Sequence, residues 1–522
     1  MQYQNLVQHY NEQPYESYAF PASKPSHIAT IASLIGLEPI PCQNSRVLEI
    51  GCASGGNIIP IASHNPEAEF IAFDIAQSQI DLANQKVEDL GLSNIKFLCL
   101  DLNNLPDNLG KFDYIIAHGV HSWIPKELQS VLMKQIKNLL SPQGLAYLSY
   151  NTFPGWHYQQ VIRNAMLFAG QEKISAIEKQ EAGESMIKLL KSIDNNTPNY
   201  GGLMKSTLNL IDDSELDRES YYIGHEYLDN FNNPVYFHEF IQSASEFGLS
   251  YAADAQIHSM FHPLSQQALE DLQKITGNER LKYEQALDFI KNRSFRQSII
   301  CHSENYINVS GAIQIDEISN LQFCAKFTYL NVDAQGHKNY EYTDITGNKR
   351  VLIASIPLSD IFCEYINHKY PRFVPYSELE QYICAKNNLK FIDEDTNQKL
   401  LYSLLLLIQN NFAEYNIYPP KLVQISNKPK IDEYIRSMVI KYQAVSIVTP
   451  CHYNMRTGPL DRAVISLLDG TKTIGEIYDI LEPNCDGFNL TLMAEETNSK
   501  QALRNRLQYC LNRYELHGLL VD

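Results

Sequence analysis

At 522 residues the chain is too long for one hydrophobic core, so we expect about two to four domains. It carries 42 basic and 60 acidic side chains, a net charge of −18 at pH 7, and no Lys/Arg-rich run. Such a surface repels phosphate, which argues against a nucleic-acid-binding protein, whereas an acidic cleft would attract a lysine-bearing segment; simple solubility explains the charge equally well.

Residues 1–30 are predicted to form an arm, which precedes an apolar helix that ends near Gly36. Residues 1–10 have no charged flank followed by an apolar core, so we predict no signal peptide. Ten cysteines lie scattered along the chain without a C-x-x-C pair, which indicates reduced thiols and no structural metal site. We therefore expect a cytoplasmic protein.

Residues 47–57 form an apolar strand that enters a glycine-rich turn and then, from Asn57, a helix. Without a Cβ atom, Gly51, Gly55 and Gly56 can adopt positive φ and bring backbone N–H groups close to a ligand at a helix N-terminus. The turn therefore predicts a bound nucleotide.

Aspartates end the next two predicted strands. The runs Glu69–Asp74 and Ile95–Asp101 each finish on a carboxylate, and Phe112–Ala117 forms a fourth strand. Parallel strands bring their carboxyl ends to one edge of the sheet, where such sheets bind ligands, and Asp74 could accept both ribose hydroxyls there. Helix N-capping alone does not explain why both acids recur beside the glycine turn.

The turn has the pattern E-x-G-x-x-x-G, with Glu49 inside the strand, rather than the G-x-G-x-x-G of dinucleotide-binding proteins. It resembles the class I S-adenosylmethionine-dependent methyltransferases, many of which have glycine where Ala53 stands. The resemblance implies an α/β fold with a Rossmann-like sheet, an arm that covers the cofactor, S-adenosyl-L-methionine as methyl donor and S-adenosyl-L-homocysteine as product. Glu49 would help to hold the methionine end, and Asp74 and Asp101 the ribose and adenine. The implied cofactor contacts are Glu49, Gly51, Cys52, Ala53, Gly55, Asn57, Asp74, Ile75, Asp101, Leu102 and His118.

Three further segments narrow this resemblance. The runs Ala117–Pro125 and Ser149–His157, and the pair His225–Asp229 with Tyr236–Phe240, are similar to bacterial methyltransferases that carry a methyltransferase regulatory domain. Within that family the chain most resembles the rickettsial protein lysine methyltransferases that modify outer membrane protein B. The resemblance implies a protein substrate that is methylated on lysine side chains, and a homodimeric enzyme.

Candidates for substrate contacts follow the fourth and fifth predicted strands. His118 and Trp123 follow the fourth strand, where the transferable methyl lies in this fold, and Tyr150 and Asn151 follow the fifth. A lysine, with an unperturbed pKa of about 10.4, must lose a proton before it attacks the methyl. His118 could be the base or simply hydrogen-bond the backbone, and Trp123 could hold the cation on its face or lie in the core.

The methyltransferase domain is expected to cover residues 31–262. Its fifth strand, Gly144–Tyr150, and its sixth, Gly248–Asp254, are separated by a predicted, largely helical insertion at about 157–235. One group of polar residues near the end of that insertion is interpreted as a cluster that closes it rather than as catalytic, namely His225, Glu226, His238 and Glu239.

Residues 263–418 are expected to form a middle or regulatory domain, mostly helical from after Glu279 to Gln297 and then β-rich around 311–330 and 340–356. The apolar run Leu400–Ile408 is less than half of the ~20 residues that a membrane span needs, so we predict a buried helix and no membrane insertion.

Pro419 and Pro420 mark a second boundary, because consecutive prolines stop both helix and sheet. Residues 419–522 are predicted to form a winged-helix-like domain, with a second helix that begins at a capping box of Thr473 and Glu476. That helix carries no basic residue, so we expect protein contacts rather than DNA reading.

Two alternatives to a protein lysine methyltransferase stay open. One is a small-molecule N- or O-methyltransferase, for which the large C-terminal part has no evident use, and the other is a non-catalytic scaffold that binds the cofactor. An open cleft between domains would favour a polypeptide substrate, and a closed apolar chamber would favour a metabolite. The number of methyl groups transferred, the choice of lysines and the action of the regulatory domain do not follow from the sequence.

Overall fold

The computed structural model describes residue 11 and residues 17–173, 175–192, 208, 226–229, 231–261, 264–277, 279–355, 358–488 and 498–522. The described part of the predicted arm leads into helix α1, Pro25–Leu34. The elements that follow form the alternating β/α units expected from the sequence: β1 Arg46–Ile50, α2 Ile58–His64, β2 Glu69–Asp74, α3 Gln77–Leu90, β3 Ile95–Cys99, β4 Phe112–Ala117, α4 Lys126–Leu139 and β5 Leu140–Asn151.

These strands belong to a seven-stranded sheet in the order β3-β2-β1-β4-β5-β7-β6. Strands β1 to β5 pair in parallel, with Glu49 of β1 opposite Ala72 of β2. The predicted α/β class and Rossmann-like sheet are confirmed. Successive side chains of β1 point to opposite faces, so that Val47 lies in one hydrophobic core and Leu48 in another. Cover on both faces is typical of a parallel sheet.

The last two strands of the sheet are antiparallel neighbours. The predicted sixth strand is present as β6, Leu249–Asp254, but β7, Phe295–His302, lies between it and β5. The expectation of a helical segment up to Gln297 is wrong, because helix α9, Arg280–Lys291, ends before β7 begins. The sheet therefore includes a strand from beyond residue 262, where we had placed the end of the methyltransferase domain.

Helices flank the sheet where the insertion was predicted. Helix α5, Gly155–Gly170, packs with α6, Ala176–Ser192, and α7, Phe237–Ser245, leads into β6. Helix α8, Gln266–Thr276, precedes α9. Most of residues 193–225 lie outside the described residues, and with them the turn-rich part of the predicted insertion.

The middle of the chain has small sheets and helices, as its β-leaning runs predicted. Strands β9, β10 and β11 form an antiparallel sheet, and β8 pairs with β12 and β13. The run Leu400–Ile408 lies within a helix, and six of its nine residues are buried, as predicted. The bounds are β8 Gln322–Cys324, β9 Lys326–Val332, β10 Lys338–Thr343, β11 Lys349–Ala354, α10 Ser359–Lys369, β12 Val374–Pro375, α11 Tyr376–Lys386, α12 Glu394–Gln409 and β13 Glu414–Asn416.

The C-terminal part combines helices with one short hairpin. Thr473 Oγ1 accepts from the backbone of Glu476, whose carboxylate accepts from the backbone of Thr473, so the predicted capping box is present. The winged-helix description stays a prediction. The bounds are α13 Glu433–Tyr442, β14 Ser446–Val448, β15 Asn454–Arg456, α14 Pro459–Leu467, α15 Ile474–Leu481 and α16 Ser499–Leu516. Within the described residues no helix combines the length and the apolar character that a membrane crossing requires.

Candidate functional site

A cavity opens at the carboxyl edge of the sheet, where the sequence placed the ligand. Its walls come from the turn after β1, the end of β2, the segment after β4, the N-terminal arm and a segment around Glu226. Of the residues predicted to contact a cofactor, nine line this cavity: Glu49, Gly51, Cys52, Ala53, Asn57, Asp74, Ile75, Leu102 and His118. Gly55 and Asp101 are not among its lining residues.

Of the three glycines in the turn after β1, Gly51 and Gly55 have the positive φ that the sequence allowed, and Gly56 does not. Gly51 has φ +71°, and a Cβ there would lie 2.7 Å from Cγ2 of Val120. Ala53 has φ +45°, a region that favours glycine, and its backbone N–H donates to Oδ2 of Asp74 at 2.9 Å. Asp74 therefore helps to hold the turn as well as facing the cavity.

Gly55 lies below the cavity rather than on its wall. Its φ is +79°, and a Cβ would lie 2.7 Å from the side chains of Ile59 and Phe97. The glycine is therefore required for packing between the turn, α2 and β3.

Glu49 is the most unusual polar group at this edge. It is 3% exposed; Oε1 accepts from Nδ2 of Asn57 at 2.6 Å, and Oε2 has no hydrogen-bond partner among the described residues. Burial raises the pKa of Glu49 to about 8, although the Asn57 hydrogen bond lowers it; the Asp74 charge raises it further. A buried carboxylate with one free oxygen fits a cationic ligand group such as an ammonium.

The two aspartates differ in what they face. Asp74 lines the cavity, and Oδ1 also accepts from the backbone N–H of Ala76. Burial raises the pKa of Asp74 despite its backbone hydrogen bonds. Asp101 instead accepts from the backbone and side chain of Asn103, so the capping interpretation describes its contacts, and Leu100 and Leu102 form the neighbouring wall. A contact between Asp101 and the adenine stays a prediction.

The predicted arm forms one wall of the cavity over its described residues. Ser17, Tyr18 and Phe20 line it, and the backbone N–H of Gly56 donates to Oγ of Ser17 at 2.7 Å. The ring of Phe20 stacks on that of His118, with 3.4 Å between the ring centroids. Residues 1–10 and 12–16 of the arm lie outside the described residues.

His118 is held rather than free to react. Its Nδ1 lies 2.9 Å from the hydroxyl of Tyr147, which also accepts from Nε2 of Gln297. Burial lowers the pKa of His118 to about 3. A neutral imidazole with so low a pKa is a weak proton acceptor, so the structure does not support a base role for His118. Its hydrogen bond is made with a tyrosine hydroxyl and not with the backbone, as the other interpretation expected.

Of the other catalytic candidates, Trp123 lines the cavity, but Tyr150 and Asn151 do not. Tyr150 is 1% exposed, stacks on Phe240 and shares a hydrogen bond with Ser298. Asn151 is also buried, and Nδ2 donates to Oδ1 of Asn232. The expected channel role of these two residues is therefore not supported, because their side chains pack inside the domain where β5 ends.

Two acidic residues that the sequence did not assign to the site also line it. Glu226 and Asp229 belong to the cavity wall, and burial raises the pKa of Glu226 to about 7, although Arg163 lowers it. Among the three members of the predicted polar cluster that the structure describes, Glu226 shows no contact with His238 or Glu239. His238 contacts Gln285, Glu239 accepts from the backbone of Tyr236, and His225 lies outside the described residues.

Comparison with known proteins identifies two family models in the chain. The model described as a methyltransferase domain matches residues 47–144, and the one described as a predicted methyltransferase regulatory domain matches residues 219–302. These matches include the glycine turn and β2 to β4 in the first case, and α7 to β7 in the second.

The similar proteins include two from Rickettsia prowazekii and one from Rickettsia typhi. One uncharacterized protein of Rickettsia prowazekii is 29% identical over 515 residues, 96% of this chain and 90% of that protein, and a second is 33% identical over 45% of this chain and 94% of its own length. The structure of PKMT2 from Rickettsia typhi in complex with AdoHcy has a TM-score of 0.84 and 26% identity, covering 98% of this chain and 100% of that chain. A malonyl-[acyl-carrier protein] O-methyltransferase from Acetivibrio thermocellus is 23% identical over 42% of this chain.

Proposed function

This chain belongs to the S-adenosylmethionine-dependent methyltransferases that carry a methyltransferase regulatory domain, and we propose that it N-methylates lysine side chains of a polypeptide. The proposal rests on the acidic wall of the cavity, which suits an ammonium-bearing side chain. The whole-chain similarity to PKMT2 supports it as well.

The methyl donor is S-adenosyl-L-methionine, and the residues at the carboxyl edge fit it. Oε2 of Glu49 is the unpaired carboxylate oxygen that would accept from its ammonium group, and Asp74 would accept from the ribose hydroxyls. Ile75 and Leu102, which line the cavity, would provide an apolar wall for the adenine. When bound, the cofactor supplies an electrophilic methyl group on a sulfonium.

The rest of the cavity would receive the substrate amine. Trp123, Glu226 and Asp229 line the same cavity as the cofactor residues. A carboxylate attracts the ammonium form of a lysine, and an indole face can hold a cation by its negative quadrupole. Since the pKa of Glu226 is raised to about 7, its carboxylate is a stronger proton acceptor than an ordinary glutamate and a far stronger one than His118. We propose Glu226 as the group that accepts the lysine proton.

We further infer that the substrate is an outer-membrane or surface protein such as outer membrane protein B, modified in the cytoplasm before export by a homodimeric enzyme. The resemblance of the sequence to the rickettsial protein lysine methyltransferases that modify outer membrane protein B supports this class of substrate. The ten scattered cysteines without a C-x-x-C pair are the reason for proposing a reducing compartment.

The test is methylation of unfolded polypeptide substrates with labelled S-adenosylmethionine, followed by mass spectrometry of the products. We expect label on lysine Nζ. Glu226→Gln should lower kcat by about a hundredfold or more, since proton transfer contributes that much to catalysis, while the Kd of S-adenosylhomocysteine changes less than about twofold. The exposed Glu246 provides the matched control, and Glu246→Gln should behave as wild type.

Two results would overturn the proposal. One is incorporation that persists when every substrate amine is blocked, and the other is activity on small acceptors with none on polypeptides, which would favour the small-molecule methyltransferase. A wild-type kcat in Glu226→Gln would show that Glu226 does not accept the lysine proton. That result would not test the lysine substrate, which the first two results test.

A further inference from the structure

The C-terminal hairpin consists of β14, β15 and the turn between them, residues 446–456. A histidine of this hairpin contacts a residue of the cofactor cavity wall without lining the cavity itself. His452 is 1% exposed, and its Nε2 lies 2.8 Å from Oδ1 of Asn57, a residue 395 positions away in the sequence. Asn57 lines the cavity and donates from Nδ2 to Oε1 of Glu49 at 2.6 Å. Hydrogen bonds therefore connect His452 to Asn57 and Asn57 to Glu49, the side chain proposed to bind the ammonium group of the cofactor.

The direction of each hydrogen bond in this series is fixed. The backbone N–H of Phe20 also contacts Oδ1 of Asn57, at 2.9 Å, and a backbone N–H can only donate. Oδ1 is therefore the acceptor side of the amide, and His452 presents Nε2–H to it. If the amide were reversed, its oxygen would face the Glu49 carboxylate and its NH₂ group would face the backbone N–H of Phe20, which is itself a donor.

The backbone of His452 also indicates that its side chain is needed there. Its φ is +71°, in the left-handed region that favours glycine, and it lies in a turn closed by hydrogen bonds between Thr449 and the residues that follow it. A bulky buried residue in such a conformation persists when surrounding contacts hold it, and strained residues of this kind cluster at ligand sites.

We propose that His452 is a positioning residue for the cofactor: its Nε2–H orients the Asn57 amide, and Asn57 orients Glu49 so that Oε2 faces the ammonium group of S-adenosylmethionine. His452 is not itself among the residues that line the cavity. It acts through Asn57. The C-terminal hairpin thereby sets the affinity for the cofactor, although the hairpin and Asn57 are far apart in the sequence.

The charges around the series leave this arrangement intact near neutral pH. Burial lowers the pKa of His452 well below its usual value, and the nearby Lys24 and His64 lower it further, so the ring is neutral. Asp74 is the acidic neighbour that raises the pKa of Glu49, and the Asn57 hydrogen bond opposes it. Loss of the His452 contact should weaken that hydrogen bond and raise the pKa of Glu49 further.

The test compares two replacements of His452 in the full chain by calorimetric titration with S-adenosylhomocysteine between pH 6 and pH 8. His452→Phe keeps a flat ring of similar size without a donor, and we expect a Kd about five- to tenfold weaker and a pH profile displaced to higher pH. His452→Gln restores an N–H donor, and we expect a Kd within about twofold of wild type. Thermal unfolding of both variants reports on folding.

A third comparison tests whether the effect of His452 on cofactor affinity depends on Glu49. In a Glu49→Gln background, His452→Phe should change the Kd by less than about twofold, because the group that the series orients has lost its charge. The proposal is overturned by any of three results. These are an unchanged Kd and pH profile in His452→Phe, equal weakening by the phenylalanine and glutamine variants, or a full additional loss in the Glu49→Gln background.

Discussion

Asp74 has two tasks, since it faces the cavity and also holds Ala53 in the left-handed region. Asp74→Ala should weaken cofactor binding at least about tenfold, because two charge-assisted hydrogen bonds to the ribose, roughly 1.5 to 3 kcal/mol each, are lost. It should also lower the melting temperature of the free protein, because the turn loses its acceptor. Calorimetry and thermal unfolding measure the two effects, and wild-type affinity in the variant would contradict the placement of the ribose.

Glu49 predicts the pH dependence of cofactor binding. In the free protein its pKa is raised to about 8, so at pH 6 to 7.5 the carboxyl is mostly protonated, and binding of an ammonium requires it to lose that proton. Affinity should therefore rise with pH in this window, by up to about tenfold per unit, with release of about one proton per cofactor bound. Titrations in buffers of different ionisation enthalpy count the protons. Glu49→Gln should bind weakly and show no such slope, and a wild-type slope near zero would contradict the prediction.

At this scale the sequence predicted the cofactor end of the site better than the substrate end. Glu49, Gly51 and Asp74 were identified because a strand, a turn and the next strand fix their places at one sheet edge. Glu226 and Asp229 reach the cavity from a distant segment, and no local spacing signals that approach. Tyr150 was placed at the right strand end, but which way its side chain packs depends on Phe240 and Ser298, which lie far along the chain.

Among the elements, β7 was missed for a physical reason. Its sequence contains Arg296, a charge that interrupts an otherwise strand-like run, yet this side chain is 1% exposed. Asp288 and Glu284 of α9 pair with the guanidinium, with Nε of Arg296 2.8 Å from Oδ2 of Asp288. A buried arginine can occupy a central strand only when such partners are present, and they come from a helix that precedes the strand. The first five strands could be predicted from their apolar runs.

The pairing of Arg296 with Asp288 predicts that removing a buried acid lowers the free energy of unfolding more than removing an exposed acid on the neighbouring helix. Asp288→Ala leaves Arg296 buried without its main partner and should lower the free energy of unfolding by roughly 3–5 kcal/mol. The control is Asp271→Ala, which removes an exposed pair with Lys274 and should cost less than about 1 kcal/mol. Chemical denaturation of the two variants measures the difference. Equal stability losses would mean that the buried pair is not needed to hold β7.

For the whole molecule we predict a homodimer, with contacts away from the cofactor edge of the sheet. The chain mass is 59.6 kDa, so light scattering at micromolar concentration should give twice that value. The reason within the chain is that several large apolar side chains outside the methyltransferase sheet are exposed, including Tyr329, Val351 and Phe391. A mass equal to that of one chain would contradict the prediction.

The location of the C-terminal hairpin has a consequence for the order in which the site is made during synthesis. The arm residue Ala19 exchanges two hydrogen bonds with Asn454, 435 positions later. Asn57 likewise lacks one hydrogen-bond partner until His452 has been synthesised. A ribosome will have produced the glycine turn and all seven strands of the sheet long before either partner emerges. A nascent chain should therefore have a folded sheet edge that holds S-adenosylmethionine poorly, and its affinity should increase abruptly once the hairpin has left the exit tunnel. Ribosome-bound chains arrested with the hairpin still inside the exit tunnel and with the hairpin outside it would show this step as a difference in retained cofactor.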